Sequence, residues 1–368
     1  MKRFISLILT SVILTTIAMP VFAAEQNPKV YLKDIPSIEQ HYQVTVDNAI
    51  NANVDTIELQ DFIQSAQSEV STARPLATND ENSELPQIFE MTALGEDYSL
   101  NYYQEPNQEP VVTILESAAR SVEEIETPQI SPRTKPVSFA DGIGVRIPIQ
   151  GTTNKTLAFK VVTSSTNKTQ NPINSSGTEL GQCYLYGGFN ANGIATDLGL
   201  IYQDTKAGIK GWKPYFLVKK GNTQLAYTYP DSSHADVTGK NGYIPGDSNG
   251  VGIEIYPNFN NTNKIRLRTE GRTLYSNQYG AAGNAWLIQI VETKNTVPVT
   301  GITGYKILAT AGVPTSQDKN IAKARCSGVF SKISLGGSTP VFKEAESDNG
   351  YAQKDSSNGY TLSCSQGY

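Results

Sequence analysis

Histidine and cysteine are scarce in this 368-residue chain, which has two histidines and three cysteines. His41 and His234 lie apart from any carboxylate or cysteine cluster with metal-ligand spacing, so the sequence predicts no zinc site. It also lacks a Gly-x-Ser-x-Gly elbow, a P-loop and a dinucleotide fingerprint, and Gly187-Gly188 is a turn signal. These absences argue against several common enzyme classes, and we expect no cofactor.

Long apolar runs are absent after the first 23 residues. Lys2 and Arg3 precede the apolar run FISLILTSVILTTIAM, and Val21-Phe22-Ala23 provides a small-x-small cleavage site. An uncleaved membrane anchor is the alternative, but a spanning helix needs about 20 apolar residues. We therefore predict a signal peptide over residues 1–23, a secreted, extracellular protein and no membrane insertion.

Charge is sparse and unevenly distributed. The chain is 18% charged, with a net charge of −5. Residues 24–135 contain 20 acidic and 6 basic residues, a net charge of −14, whereas residues 136–368 contain 15 acidic and 22 basic residues, a net charge of +7. Such a change of sign predicts a domain boundary. We place an acidic segment at 24–126, a linker at 127–138 and a second domain at 139–368.

The acidic segment predicts two short helices in a largely flexible chain. Asp55 and Glu58 have capping-box spacing before an amphipathic stripe that reaches Val70, and Thr113 and Glu116 have the same spacing before a stripe that reaches Ile125. The stretches ARPLATNDENSELPQ and NYYQEPNQEP lack periodicity, so we expect them to be mobile. The segment is either a spacer or a prosegment whose acidic surface docks on the basic domain.

From Phe139 onward, strand patterns recur every 8–12 residues, as in β-sandwiches and barrels. We predict an all-β, two-sheet antiparallel sandwich of the concanavalin-like or jelly-roll type. The predicted strands are Gly144–Ile149, Leu157–Val162, Cys183–Tyr186, Asp197–Tyr202, Gly211–Leu217, Gln224–Tyr229, Val251–Tyr256, Ile265–Arg268, Ala285–Val291, Tyr305–Ala309, Cys326–Phe330 and Tyr360–Cys364.

The three cysteines allow one disulfide in an oxidising compartment. Cys326 and Cys364 are the nearest in sequence and are the candidate pair, although sequence alone leaves the pairing open. Cys183 is then a small buried residue. A cysteine nucleophile is the weakest interpretation, because neither histidine lies in a strand that could present a base.

Carboxylates and arginines are too dispersed to define a site. A glycosidase needs two facing carboxylates, and the strand carboxylates form no short acidic cluster. Arg266, Arg268 and Arg272 form only a modest basic patch, so we expect no nucleic-acid partner.

Aromatic residues are the most informative feature, and seven of them fall between Gly181 and Leu217. Tyrosine and tryptophan rings on a rigid sheet, next to Asn and Asp, suit stacking on sugar rings, although core packing is the simpler explanation for any one ring. The candidate ligand-binding residues are Tyr186, Asn190, Asp197, Tyr202, Trp212 and Tyr215.

Several motifs in order resemble the YrpD family of secreted bacterial proteins. They are Asp141-Gly-Ile-Gly144, Tyr184-x-Tyr186-x-Gly188-Phe189, Asp197-x-Gly199-x-x-Tyr202, Trp212-Lys-Pro-Tyr215 and Gly242-Tyr-x-Pro-Gly246. The resemblance covers about Phe139 to Leu335. It implies a fold and a location, but no established activity.

A more distant likeness to the glutamic peptidases rests on Tyr186-Gly-Gly-Phe-Asn190, Thr196-Asp197-Leu-Gly199, Ala285-Trp-Leu-Ile-Gln-Ile290 and Ser363-Cys-Ser365. Those enzymes use a Gln–Glu dyad. The resemblance puts Asp197 at the Gln position and Ile290 at the Glu position, so the dyad is not retained. Glu292 lies on the same strand face as Ile290, and an Asp197–Glu292 pair is the catalytic candidate if the protein is an enzyme.

We therefore expect a secreted β-sandwich with a non-catalytic aromatic binding face for cell-wall or extracellular polysaccharide. An acid hydrolase of glutamic-peptidase type is the first alternative, and a structural surface or matrix protein is the second. The ligand and the oligomeric state are left open.

Overall fold

Extended strands make up most of the described chain. The computed structural model describes residues 43–46, 56–72, 85–95, 98–116, 135–136, 138–139, 142–204, 210–228, 241–274, 283–313 and 316–367. The predicted signal peptide and most of the predicted linker lie outside the described residues.

The described residues form two α-helices and twenty β-strands. The helices are α1 (Thr56–Thr72) and α2 (Ser316–Ile321). The strands are β1 (Gln43–Val46), β2 (Gln87–Leu94), β3 (Tyr98–Gln104), β4 (Val111–Glu116), β5 (Lys135–Pro136), β6 (Gly142–Ile149), β7 (Leu157–Thr163), β8 (Gln170–Ile173), β9 (Gln182–Ala191), β10 (Ile194–Asp204), β11 (Lys210–Lys220), β12 (Thr223–Tyr227), β13 (Val251–Tyr256), β14 (Arg266–Arg272), β15 (Trp286–Thr293), β16 (Ile302–Gly312), β17 (Lys323–Leu335), β18 (Glu346–Asp348), β19 (Gly350–Ser356) and β20 (Gly359–Gln366).

The strands form two sheets. The twelve-stranded sheet has the order β1-β4-β3-β2-β15-β14-β13-β7-β17-β20-β19, with β8 pairing β17, and the eight-stranded sheet has the order β12-β11-β10-β9-β16-β6-β18-β5. Most pairs are antiparallel, whereas β1·β4, β2·β15 and β5·β18 are parallel. The predicted two-sheet sandwich is confirmed.

Alternating side chains from both sheets meet in the main core. In β13, Val251, Ile253 and Ile255 point inward and are buried. From the facing sheet, Leu185 of β9 and Ile307 of β16 enter the same core. All twelve strands predicted in the second domain overlap observed strands, because period-2 alternation is what a sheet with one buried face requires.

The described parts of the acidic segment contain strands that the sequence analysis did not predict. The segment's first helix is confirmed as α1, whereas the start of the predicted second helix, Thr113–Glu116, belongs to β4 (Val111–Glu116), and the rest of that predicted helix lies outside the described residues. The run Asn101–Gln104, expected to be mobile, belongs to β3. The β-branched residues of VVTI pair with β3, and this long-range pairing outweighs the local capping signal.

Helix α1 lies on the outer face of the twelve-stranded sheet and closes a second core there. Leu59, Phe62 and Ile63 of α1 are buried against apolar side chains of β2, β3 and β4 and against Trp286 and Ile288 of β15. The acidic segment therefore contributes strands and a helix to the sandwich.

Candidate functional site

Four tyrosines form a patch on the outer face of the eight-stranded sheet. Tyr184 and Tyr186 come from β9, Tyr215 from β11 and Tyr227 from β12, and the ring centroid of Tyr215 lies 4.7, 6.0 and 6.2 Å from those of Tyr184, Tyr186 and Tyr227. The rings are tilted or edge-to-face, a favourable aromatic geometry. We call these four residues the tyrosine patch.

A glycine explains why rings from non-adjacent strands meet. Gly199 of β10 is in register with Tyr186 on one side and with Tyr215 on the other. A Cβ atom at Gly199 would lie 2.5 Å from the Cα of Tyr186. Any larger residue would therefore force β9 and β10 apart and separate the rings.

An ion pair borders the tyrosine patch. The Nζ of Lys306 lies 2.6 Å from Oδ1 of Asp197, and the two side chains are 15% and 27% exposed. Lys306 of β16 is in register with Gly188, which has no side chain to stand between the partners. The same Nζ lies 6.0 Å from the ring centroid of Tyr186. Aromatic faces and charged hydrogen-bonding groups thus share one surface.

The patch is partly enclosed. Tyr215 is 8% exposed, whereas Tyr184, Tyr186 and Tyr227 are half-buried. Burial raises the pKa of Tyr215 well above its usual value of 10, so its hydroxyl stays protonated and available as a donor. Asn190, also half-buried, lies at the end of β9.

Two predicted ligand-binding residues lie on the opposite face of the sheet. Tyr202 and Trp212 point into the main core, with exposures of 3% and 0% and ring centroids 5.2 Å apart. Burial raises the pKa of Tyr202 to about 12. The prediction that they belong to an exposed binding face is wrong. In β10 and β11 the odd-numbered residues face outward, so the even-numbered Tyr202 and Trp212 face the main core.

The predicted carboxylate pair is not formed. Glu292 lies on the outer face of the twelve-stranded sheet, whereas Asp197 lies on the outer face of the other sheet. Glu292 accepts hydrogen bonds from Nε of Arg266 at 2.8 Å and from Nζ of Lys264 at 2.8 Å. Ile290 is buried under α1. Glu292 therefore neutralises a buried arginine.

The three cysteines meet inside the main core as free thiols. Cys326 and Cys364 lie directly opposite each other on β17 and β20, so the register suits the predicted pair, but the disulfide is not formed in the structure. Cys183 reaches the same cluster from β9. Burial raises the pKa of Cys183 and Cys326, and the hydrogen bond with Cys326 together with burial raises the pKa of Cys364, which argues against a thiolate nucleophile.

A buried polar cluster that the sequence analysis missed joins β2 to its neighbours. Oε2 of Glu90 accepts a hydrogen bond from Nε2 of Gln289 at 2.8 Å, and Oε1 accepts one from Nδ2 of Asn101 at 3.1 Å. Glu90 and Gln289 are 3% and 1% exposed. The available signal was a polar residue flanked by apolar ones in each strand, Glu90 in IFEM and Gln289 in WLIQIV.

A cleft of about 190 Å³ opens beside the C-terminal end of α1. Its walls are Glu69, Thr72, Phe89, Tyr256, Phe259, Arg266, Arg268, Ile288 and Ile290. Both arginines are engaged by carboxylates, because Arg266 contacts Glu69 and Arg268 contacts Glu270 at 2.9 Å. The cleft is on the other sheet from the tyrosine patch.

The described residues hold neither a candidate metal-binding cluster nor a candidate membrane-spanning helix. Within the ranges described above, no group of three or more His, Cys, Asp or Glu side chains could hold a metal ion. No helix in the described part of the chain is long and apolar enough to cross a membrane.

Comparison with known protein families identifies the family of the chain. The model of the YrpD domain, described as a domain of unknown function, matches residues 136–347. The chain belongs to the YrpD family. The matched region includes every strand that carries the tyrosine patch and the Asp197–Lys306 pair, whereas α1, β1–β4, β19 and β20 lie outside it. No curated protein matches the chain, and the likeness to glutamic peptidases is not supported.

Proposed function

We propose that this YrpD protein is secreted and that its tyrosine patch binds a cell-wall or extracellular polysaccharide without catalysis. The observation that carries the proposal is the contact of Tyr184, Tyr186 and Tyr215 on one rigid sheet next to the Asp197–Lys306 pair. Aromatic rings can stack on the apolar faces of sugars, and charged groups can bind their hydroxyls.

The arrangement favours binding over the hydrolase alternative. Acid hydrolysis requires a carboxyl group that faces a second carboxyl or carboxamide group across bound substrate. Asp197 faces Lys306, Glu292 lies on the other sheet, and Glu90 and Gln289 are enclosed in the protein interior. If the protein retains no polysaccharide in binding measurements, the purely structural role is favoured instead.

Secretion predicts a defined mature N-terminus. Cleavage after Ala23 follows from the apolar run and the small residues at Val21 and Ala23. We expect Edman sequencing of the protein recovered from the culture medium of the native host to begin at Ala24. Full-length protein confined to the cell pellet would contradict secretion.

Replacement of Tyr186 by alanine is expected to weaken retention on an insoluble cell-wall polysaccharide about tenfold, which corresponds to about 1.4 kcal/mol. The substitution removes a half-buried ring next to Lys306 and leaves the main core intact. The measurement is a depletion isotherm on purified wall polysaccharide, with circular dichroism to confirm the fold.

Tyr351→Ala is the matched control, because Tyr351 is a 58% exposed tyrosine on β19 of the other sheet. Asp197→Asn tests the polar half of the patch, since it keeps the shape and removes the charge that Lys306 contacts. Equal retention of the wild type, Tyr186→Ala and Asp197→Asn would contradict the proposal.

A further inference from the structure

The YrpD domain does not complete its own large sheet. Strand β15 pairs with β14 inside the matched region, and its other edge pairs over eight residues with β2, which lies outside that region. The pairing is parallel and runs from Trp286↔Gln87 to Thr293↔Leu94. Without β2, an eight-residue strand edge would be open to pairing with another chain.

The same N-terminal residues cover the outer face of β15. Trp286, Ile288 and Ile290 are each no more than 1% exposed, and α1 lies over them. The second core has fifteen buried members, of which these three come from β15 and twelve from residues 56–116. Most of that core thus belongs to the N-terminal residues themselves, as in a small folded unit.

Polar contacts across this junction pair acidic N-terminal residues with basic or amide groups of the domain. Glu69 contacts Nη1 of Arg266 at 2.5 Å, Glu58 contacts Nζ of Lys294 at 3.3 Å, and Glu90 accepts the hydrogen bond from Gln289. Residues 56–116 contain 12 acidic residues and one basic residue. The N-terminal part of the chain has a net charge of −14 and the rest a net charge of +7, and these contacts pair individual residues of the two parts.

From these observations we infer that α1 and β1–β4, here called the N-terminal unit, form a separable module that docks in cis on the edge and outer face of β15. Docking adds a strand to an exposed sheet edge, a known mode of peptide recognition. Residues 117–134 connect the unit to β5, and the docked unit is expected to stay bound when this connection is cut. This inference is independent of the proposed polysaccharide binding.

The test uses the full chain with a specific protease site inserted between residues 125 and 126. After cleavage, we expect both fragments to co-elute in size-exclusion chromatography at the mass of one chain. Separation of the fragments, or a precipitated C-terminal fragment with a free N-terminal one, would overturn the inference. Co-elution at the mass of two chains would also overturn it, because the occupant of β15 would then be a second copy.

Two charge reversals locate the contact. Glu69→Lys places a cation next to Arg266, and we expect the cleaved fragments to dissociate at a concentration about tenfold higher than in the wild type, because like charges face each other across an interface. Glu109→Lys makes the same change at an exposed position in the turn between β3 and β4 and should leave association unchanged. Equal effects of the two variants would contradict docking through α1.

Discussion

Replacing Trp212 by alanine is expected to lower the free energy of unfolding by about 3–5 kcal/mol, the usual range for a fully buried tryptophan. The indole is 0% exposed and packs against Tyr202, with ring centroids 5.2 Å apart. Its backbone also joins the segment at Tyr243, whose N–H donates to the Trp212 carbonyl at 2.7 Å. Urea unfolding followed by circular dichroism measures the loss.

Tyr351→Ala is again the control, since this exposed ring should contribute less than about 0.5 kcal/mol. If Trp212 belonged to an exposed binding face, its removal would abolish polysaccharide retention and leave the unfolding curve unchanged. That result would contradict the assignment of the two sheet faces.

Replacing Glu292 by alanine is expected to cost about 3–5 kcal/mol of stability, because it leaves a buried cation without its buried carboxylate partner. The Arg266 side chain is 4% exposed, and two of its nitrogens contact Glu292 at 2.8 and 2.6 Å. The Arg266 guanidinium also stacks at 3.4 Å on the Phe259 ring, so it cannot swing into solvent without losing that contact. Urea unfolding of the variant measures the cost.

Glu69→Ala is the matched comparison, because Glu69 contacts the same arginine but is 25% exposed. We expect it to cost about 1 kcal/mol or less, as a more exposed ion pair does. A Glu292→Ala variant as stable as the wild type would contradict the structural role of Glu292. So would a variant that lost a hydrolytic activity while keeping its stability.

The sandwich could be predicted from the sequence because each strand carries its own evidence. In β13, for example, Val251, Ile253 and Ile255 alternate with Gly252, Glu254 and Tyr256, and this pattern alone fixes a strand with one buried face. The same local logic failed at Thr113–Glu116, where a capping motif and β-branched residues give opposite predictions. Pairing with β3 decides between them, and such pairing is not visible in a single sequence.

The candidate site could be predicted only in part. The tyrosines of β9 and β11 were identified by composition. The face on which each ring lies depends on whether its position in the strand is odd or even, and for this reason Tyr215 and Trp212 of β11 lie on opposite faces of the sheet. Lys306 was missed because it meets Asp197 only through the order β10-β9-β16. Asp197 and Glu292 looked compatible because the sequence does not reveal that their strands belong to different sheets.

The N-terminal segment shows the same limit. Its negative charge left two interpretations open, a spacer or a prosegment docked on the basic domain, and the sequence did not reveal that Glu69 and Glu58 contact Arg266 and Lys294. Its strands were overlooked because β2 is buried on both faces and shows no alternation. The interpretation of this segment as a prosegment that is cut away stays a prediction.

Tyrosine footprinting of the wild-type protein, with and without a soluble wall polysaccharide, tests the central claim most directly. Iodination followed by mass spectrometry reports the accessibility of each ring. We predict that bound polysaccharide lowers the modification of Tyr184 and Tyr186 and leaves that of Tyr351 unchanged. Polysaccharide that binds while Tyr184 and Tyr186 are modified as before would contradict the claim.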